Sequence, residues 1–378
     1  MTRAALRLFL VAPLLGALMA AAQAPGRSTP TRPGAAPAAP PAFSALPRLA
    51  QLSTSRIGGI DHVSLREAAP LLGLKAAWAE KERQLTLSDA TGRIVFEADS
   101  REVNFRGLRL FLGRPVVLRN GVVLVSKVDF ERVLLARLRP ALLGAPPPRP
   151  RVVALDPGHG GTDNGMENKT LGLKEKVLTL DVAQRVQRLL AAQGFTVVLT
   201  RTTDAPLAAD KPTDFRRRAD VANRAGADVF VSIHFNSLYP DTKTSGTETY
   251  TFTPQFQRSD RAWSPTEPDD TERDAAPVNH YDAWSSLLGQ CLHREVIGSL
   301  GTLDRGQKTM HSAVMRGLSC PAVLVESVFL SNESEARLAS TPAGRQRIAD
   351  AIAAGIIAYA DALTALQPKP AATGGVSP

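Results

Sequence analysis

Three uninterrupted apolar runs, at residues 152–155, 229–233 and 322–325, each lead into an ionisable side chain. His159 follows the first after an Asp-Pro-Gly turn, and His234 and Glu326 follow the other two directly. Apolar runs of this length suit strands buried on both faces, as in parallel sheets covered by helices. Between them the period changes. Val182, Val186, Leu189 and Leu190 share one face of a helix expected over 175–193, with Gly194 as its C-cap. Helices over 214–225, 285–300 and 341–366 and strands over 196–200, 247–253 and 310–315 continue the alternation, with 247–253 read as an edge strand. The pattern predicts an α/β domain over 151–366, a mostly parallel sheet flanked by helices.

Open α/β sheets place ligands at the carboxyl ends of their strands. His159, His234 and Glu326 all fall there, and Glu175 opens the helix that follows His159. One histidine at a strand end is an ordinary polar residue, and one glutamate at a helix start simply favours the helix dipole. Four such groups converging on one rim form a two-His, two-Glu cluster. Two imidazoles and a carboxylate, from His159, His234 and Glu175, suit a single Zn²⁺ and leave a fourth position for water. Zinc lowers the pKa of that water toward ~7. A second carboxylate outside the metal shell must then take and return a proton, and Glu326 suits that role. This is the chemistry of amide hydrolysis.

The rest of the chain delivers this site. Arg3 and Arg7 precede an apolar run over 8–22 that ends in small residues, which reads as a signal peptide over 1–22. The run is short for a membrane span, which needs about 20 apolar residues, so no stable span is expected after cleavage. An exported protein is implied, placed in the periplasm, the cell wall or the extracellular space. Residues 23–47 form a Pro/Ala-rich spacer, and 141–150, with three consecutive prolines, a stiff linker. Between them, residues 48–140 read as a small α+β domain. A hairpin is expected around Asp-Ala-Thr-Gly at 89–92, and a strand-helix pattern near 61–72 returns near 120–130. Residues 367–378 are expected to be a disordered tail. A polar stretch over 254–282 breaks the α/β rhythm and is read as a mobile loop.

The net charge of +9 comes from scattered Lys and Arg interleaved with acids, without an aromatic-basic stripe, so nucleic acid is not expected as a partner. In an exported protein the basic balance favours an anionic envelope. Cys291 and Cys320 allow one disulfide or two buried thiols, and neither has a second ligand at zinc spacing.

The blocks Leu-Asp-Pro-Gly-His-Gly-Gly ending at Gly161, Glu175-Lys176, Ser-Ile-His-Phe-Asn around His234, and Val-Glu-Ser-Val-Phe-Leu-Ser-Asn around Glu326 resemble the zinc N-acetylmuramoyl-L-alanine amidases of the type-3 family. The resemblance covers about 151–363. It implies a twisted sheet flanked by helices, zinc on His159, Glu175 and His234, and a catalytic Glu326. The implied reaction cleaves the amide between the lactyl group of N-acetylmuramic acid and L-alanine in peptidoglycan. Asp304, Arg305, Gly306 and Lys308 resemble that family's substrate-side strand. Asn164, Ser327 and the long 254–282 loop depart from its pattern without removing a ligand. Residues 48–140 resemble the copper amine oxidase N-terminal-like domain through Val63, Leu71 and Trp78, which implies an attachment module or a surface for an activator or wall partner. Two alternatives fit the same site. One is a zinc peptidase or deacetylase on another wall amide, and the other a non-catalytic wall-binding protein with a structural zinc.

Overall fold

Alternation along the central strands decides which helix each one meets. Val153 and Leu155, Val229, Val231 and Ile233, and Val323 and Val325 point to one face of the sheet. They pack there against the helices Glu175–Ala192, Asp282–Leu300 and Pro342–Leu366. Ala154, Phe230, Ala322 and Leu324 point the other way, toward Ala219 and Ala222 of the helix Lys211–Arg224. Period-2 strands thus bury both faces, as the continuous apolar runs require. The structure is a computed structural model that describes residues 52–260 and 269–368. The signal peptide, the spacer, residues 261–268 and nearly all of the expected tail lie outside the described residues.

The strand Val152–Pro157 lies between Thr196–Leu199 and Val229–Asn236, parallel to both, and Ala322–Phe329 runs parallel to Val229–Asn236 on its far side. Thr247–Phe252 then pairs antiparallel with Ala322–Phe329 and parallel with Asp304–Met310. The sheet does not stop there. Leu108–Phe111 adds alongside Asp304–Met310 at the pair Gln307–Leu110, and the meander Lys75–Glu80, Gln84–Asp89, Gly92–Glu97 and Glu102–Phe105 extends it to eleven strands. The α/β class holds. The hairpin at 89–92 forms as expected, between Gln84–Asp89 and Gly92–Glu97.

The repeated strand-helix pattern is visible as a pair. Ile60–Ser64 and Val122–Ser126 lie antiparallel, joined at His62–Ser126, Val63–Val125 and Ser64–Leu124. Each strand ends in a serine that caps the helical turn after it. Ser64 Oγ accepts from the Glu67 amide at 3.3 Å, and Ser126 Oγ from the Asp129 amide at 3.0 Å.

Three expectations differ from the fold. Thr247–Phe252 is interior, because Asp304–Met310 covers the side read as an edge. The strand expected over 310–315 lies earlier, at Asp304–Met310, whose polar residues find partners across the sheet. The described parts of the 254–282 stretch are packed down. Gln257 and Ser259 are buried, and Asp260 pairs with Arg101 at 2.7 Å and accepts from the Thr309 amide at 2.6 Å. Pro342–Leu366 is long and apolar enough to cross a membrane by length and composition, but its Ile348, Ile352, Ile356 and Tyr359 are buried in the core.

Candidate active site

His159 stands two residues past Val152–Pro157 with a left-handed backbone, φ 63°. Such a conformation is costly for a side chain larger than glycine and persists only when its surroundings fix it. Two buried arginines do so. Arg218 donates to the carbonyls of Pro157 and His159 at 2.9 and 2.6 Å, and Arg201 to those of Pro157 and Gly158 at 2.9 and 2.8 Å. Asp156 and Asp214 balance Arg218 at 2.9 and 2.6 Å. Thr200 and Ser232 also donate to Asp156. Burial works against its charge, but Arg218 and these hydroxyls outweigh burial and hold its carboxyl below the usual range.

Glu175 is buried at the first turn of Glu175–Ala192. Its Oε1 lies 3.0 Å from His159 Nε2 and 3.0 Å from His234 Nδ1, and accepts from the Phe235 amide at 3.1 Å. Its Oε2 accepts from the Met166 amide at 2.8 Å. The two imidazoles meet edge to face, with centroids 4.9 Å apart. One ligand atom from each of His159, Glu175 and His234 lies within 4.8 Å of the others. Two imidazole nitrogens and a carboxylate oxygen so gathered can hold one divalent ion. Burial favours the neutral form of Glu175, but the two imidazoles outweigh it, and its carboxyl falls below the ordinary range.

Space for the cluster is made by glycine. A Cβ on Gly158 would lie 2.2 Å from His234 Cε1, and one on Gly165 would lie 2.5 Å from Glu175 Oε2 and 2.7 Å from His159 Cδ2. Asp163 completes the arrangement. Its Oδ2 is 3.2 Å from His159 Nδ1 and 3.1 Å from Lys211 Nζ. A proton on Nδ1 directed at Asp163 leaves the Nε2 lone pair for a metal. Burial opposes the charge of Asp163, yet the Gly165 amide, Lys211 and His159 outweigh it, and its carboxyl titrates at about 2.

Glu326 lies within Ala322–Phe329, in register with His234 on one neighbouring strand and Glu248 on the other. It does not join the ligand group. Its Oε2 is buried with no hydrogen-bond partner among the described residues. Burial, reinforced by the charges of Glu175 and Glu248, pushes its carboxyl well above the ordinary value. The strands carrying His234 and Glu326 run on past them, so both groups sit inside the sheet rather than at its rim.

Glu248 is the site residue that sequence reasoning missed. It is buried and accepts from Arg305 Nε and Lys308 Nζ on Oε1, at 2.9 and 2.7 Å, and from Asn236 and Tyr250 on Oε2, at 2.8 and 2.6 Å. The usable signal was the alternation that puts Glu248 and Tyr250 on one face of a strand. The other histidines stay apart from the cluster. His293 is buried between Thr249 and Asp304, His280 is exposed, and His311 lies against Phe252 and Asp270. Cys291 and Cys320 are both free and buried. A cavity of about 180 Å³ lies over His159 and His234, and a separate groove of about 1090 Å³ is lined by Met166, Asn168, Tyr239, Lys243 and Asn332.

A family model described as N-acetylmuramoyl-L-alanine amidase matches residues 153–358, the span that holds all four site residues. The chain belongs to this family. As an N-acetylmuramoyl-L-alanine amidase it hydrolyses peptidoglycan. Among similar proteins, the germination-specific N-acetylmuramoyl-L-alanine amidase of Bacillus subtilis is 30% identical over 218 residues, which cover 55% of this chain and 79% of that one. The amidase AmiA of Escherichia coli is 32% identical over 228 residues, covering 55% and 76%. An uncharacterized cell wall amidase of Bacillus anthracis is 32% identical over 210 residues, and there the match spans 35% of the relative's length. The family match begins at residue 153, and the copper amine oxidase-like reading of residues 48–140 finds no support in it.

Proposed function

We propose that this amidase is exported and zinc-dependent, with His159, Glu175 and His234 as zinc ligands and Glu326 as general base and then general acid. The carrying observation is a division among four clustered groups. Three place ligand atoms within 4.8 Å of one another, while Glu326, in register with one of them, stays outside with a free buried oxygen. A structural zinc site is closed by four protein ligands, and a catalytic one keeps three and an open position. This division supports the catalytic reading. Two imidazoles and one carboxylate, with Asp163 behind His159, also fit zinc by donor type.

A zinc ion held there supplies Lewis acidity toward the scissile carbonyl and toward a water. Glu326 takes a proton from that water as its oxygen bonds to the lactyl carbonyl carbon. Glu326 then gives the proton to the alanine nitrogen as the C–N bond breaks. The products are a lactyl carboxylate on the glycan and a stem peptide with a free L-alanine amino terminus. Export rests on Arg3, Arg7 and the apolar run over 8–22.

The test incubates the full mature chain with purified peptidoglycan, with and without a chelator, followed by zinc. New L-alanine amino termini that disappear with chelation and return with zinc support the reading. Release that survives complete metal removal overturns it.

A further inference from the structure

Both cations on Glu248 come from one strand, Asp304–Met310, and that strand is held from outside the family-matched region. The Arg109 amide donates to Asp304 Oδ2 at 2.7 Å, and the Arg109 guanidinium to the Asp304 carbonyl at 3.3 Å. Arg137 Nη2 donates to Gln307 Oε1 at 3.1 Å. Arg101 reaches the Thr309 amide through Asp260. Phe111 fills the place beside Gly306, where a Cβ would lie 2.5 Å from its ring, and Lys308 Nζ sits 5.6 Å from the same ring's centroid. Asp304, Gln307 and Thr309 are therefore fixed by the N-terminal unit, directly or through Asp260, while Arg305 and Lys308 reach Glu248.

We propose that the N-terminal unit is a positioning element of the active site. Phe111 and Arg109 set the Asp304–Met310 strand, Lys308 and Arg305 hold Glu248, and Glu248 lies across from Glu326; the inference rests on Glu326 being the acid–base group. Phe111 and Arg109 touch neither ligand cluster nor Glu326 and act only through Lys308 and Arg305. The physical reason is that a buried carboxylate deprived of its cation is left uncompensated. Glu248 without Lys308 would swing or draw new partners, and the nearest group across the pair is the carboxylate that must exchange a proton.

The test is a double-mutant cycle in the full chain, using Phe111→Ala and Lys308→Met on a soluble muramoyl-peptide. Phe111→Ala is expected to lower kcat about tenfold with KM changed less than about twofold. Phe111→Leu, which refills the space, should restore most of that loss. In the Lys308→Met background, Phe111→Ala should cost clearly less, because only the route through Arg305 to Glu248 remains. An unchanged kcat, a change confined to KM, or an equal loss in both backgrounds overturns the proposal. If Phe111→Ala does not fold, Arg109→Ala enters the same cycle. Glu326→Gln separates the two readings. If it keeps turnover, the acid–base assignment itself fails; if it is inactive while the cycle is additive, only the positioning role fails.

Discussion

Glu248 and Glu326 face each other across the antiparallel pair formed by Thr247–Phe252 and Ala322–Phe329, and only Glu248 is compensated. Four side chains donate to Glu248, whereas Glu326 Oε2 has no partner among the described residues. Two neighbouring carboxylates are thereby driven apart in behaviour. One is fixed as a charge, and the other is free to exchange a proton. Replacing Glu326 with Gln keeps the shape and removes the exchange. Turnover should fall roughly 10²- to 10⁴-fold while zinc content and thermal unfolding stay as in wild type. Amino-group release, elemental analysis and calorimetry on the same preparation check this.

Gly165 combines φ 63° with a Cβ position 2.5 Å from Glu175 Oε2. Gly165→Ala should therefore push Glu175 off its two imidazoles and weaken metal binding without unfolding the sheet. The expected result is a melting temperature that no longer rises when zinc is added to the chelated protein. A zinc-induced rise equal to wild type would show that the cradle is not tight.

Asp163 orients His159 from behind. Asp163→Asn removes the charge but keeps a hydrogen-bonding side chain there, so metal affinity should drop about 10- to 100-fold. Competition against a chromophoric chelator measures it directly.

Asp89 reports on the N-terminal unit alone. Burial favours its neutral form, but Thr91, Arg139 and Arg106 outweigh burial and hold its carboxyl at about 2. A carboxyl depressed in the folded state stabilises the fold above its unfolded pKa of about 3.9 and loses that contribution as pH falls through the folded value. Asp89→Asn should thus cost about 1 kcal/mol at neutral pH once solvent screening is allowed for. The gap to wild type should close by about pH 2. Urea unfolding at a series of pH values tests both the size and the direction.

His159, Glu175, His234 and Glu326 are legible in the sequence because each follows or opens an element with a strong period. The apolar run marks where each polar group enters the sheet, although His234 and Glu326 prove to lie inside their strands rather than at their ends. Glu248 is not legible in this way. It stands among Thr and Tyr in a strand whose polar residues look solvated until the partners Asn236, Arg305 and Lys308 arrive from other segments. Asp304–Met310 is missed for the same reason. Its polar side chains are satisfied by Arg109 and Arg137, 195 and 170 residues away in the chain, and no local pattern encodes that. Val314 and Met315 carry the apolar signal that draws the expected strand past its true end at Met310, and they belong to the turn that packs beneath Phe230 and Leu324.

The continuity of the sheet through Gln307 and Leu110 also bears on where the sheet can meet another chain. Cut away from residues 52–143, the catalytic part would end in Asp304–Met310 with one full row of amide and carbonyl groups unpaired. Such a row is a template for another chain. The added meander moves the sheet's border to Lys75–Glu80, a strand with Lys75 and Glu80 exposed at its two ends and Ala77 and Ala79 exposed between them. The border thus passes from an open template to a strand with charged ends, and trimming the catalytic part to its family-matched span would reopen the first.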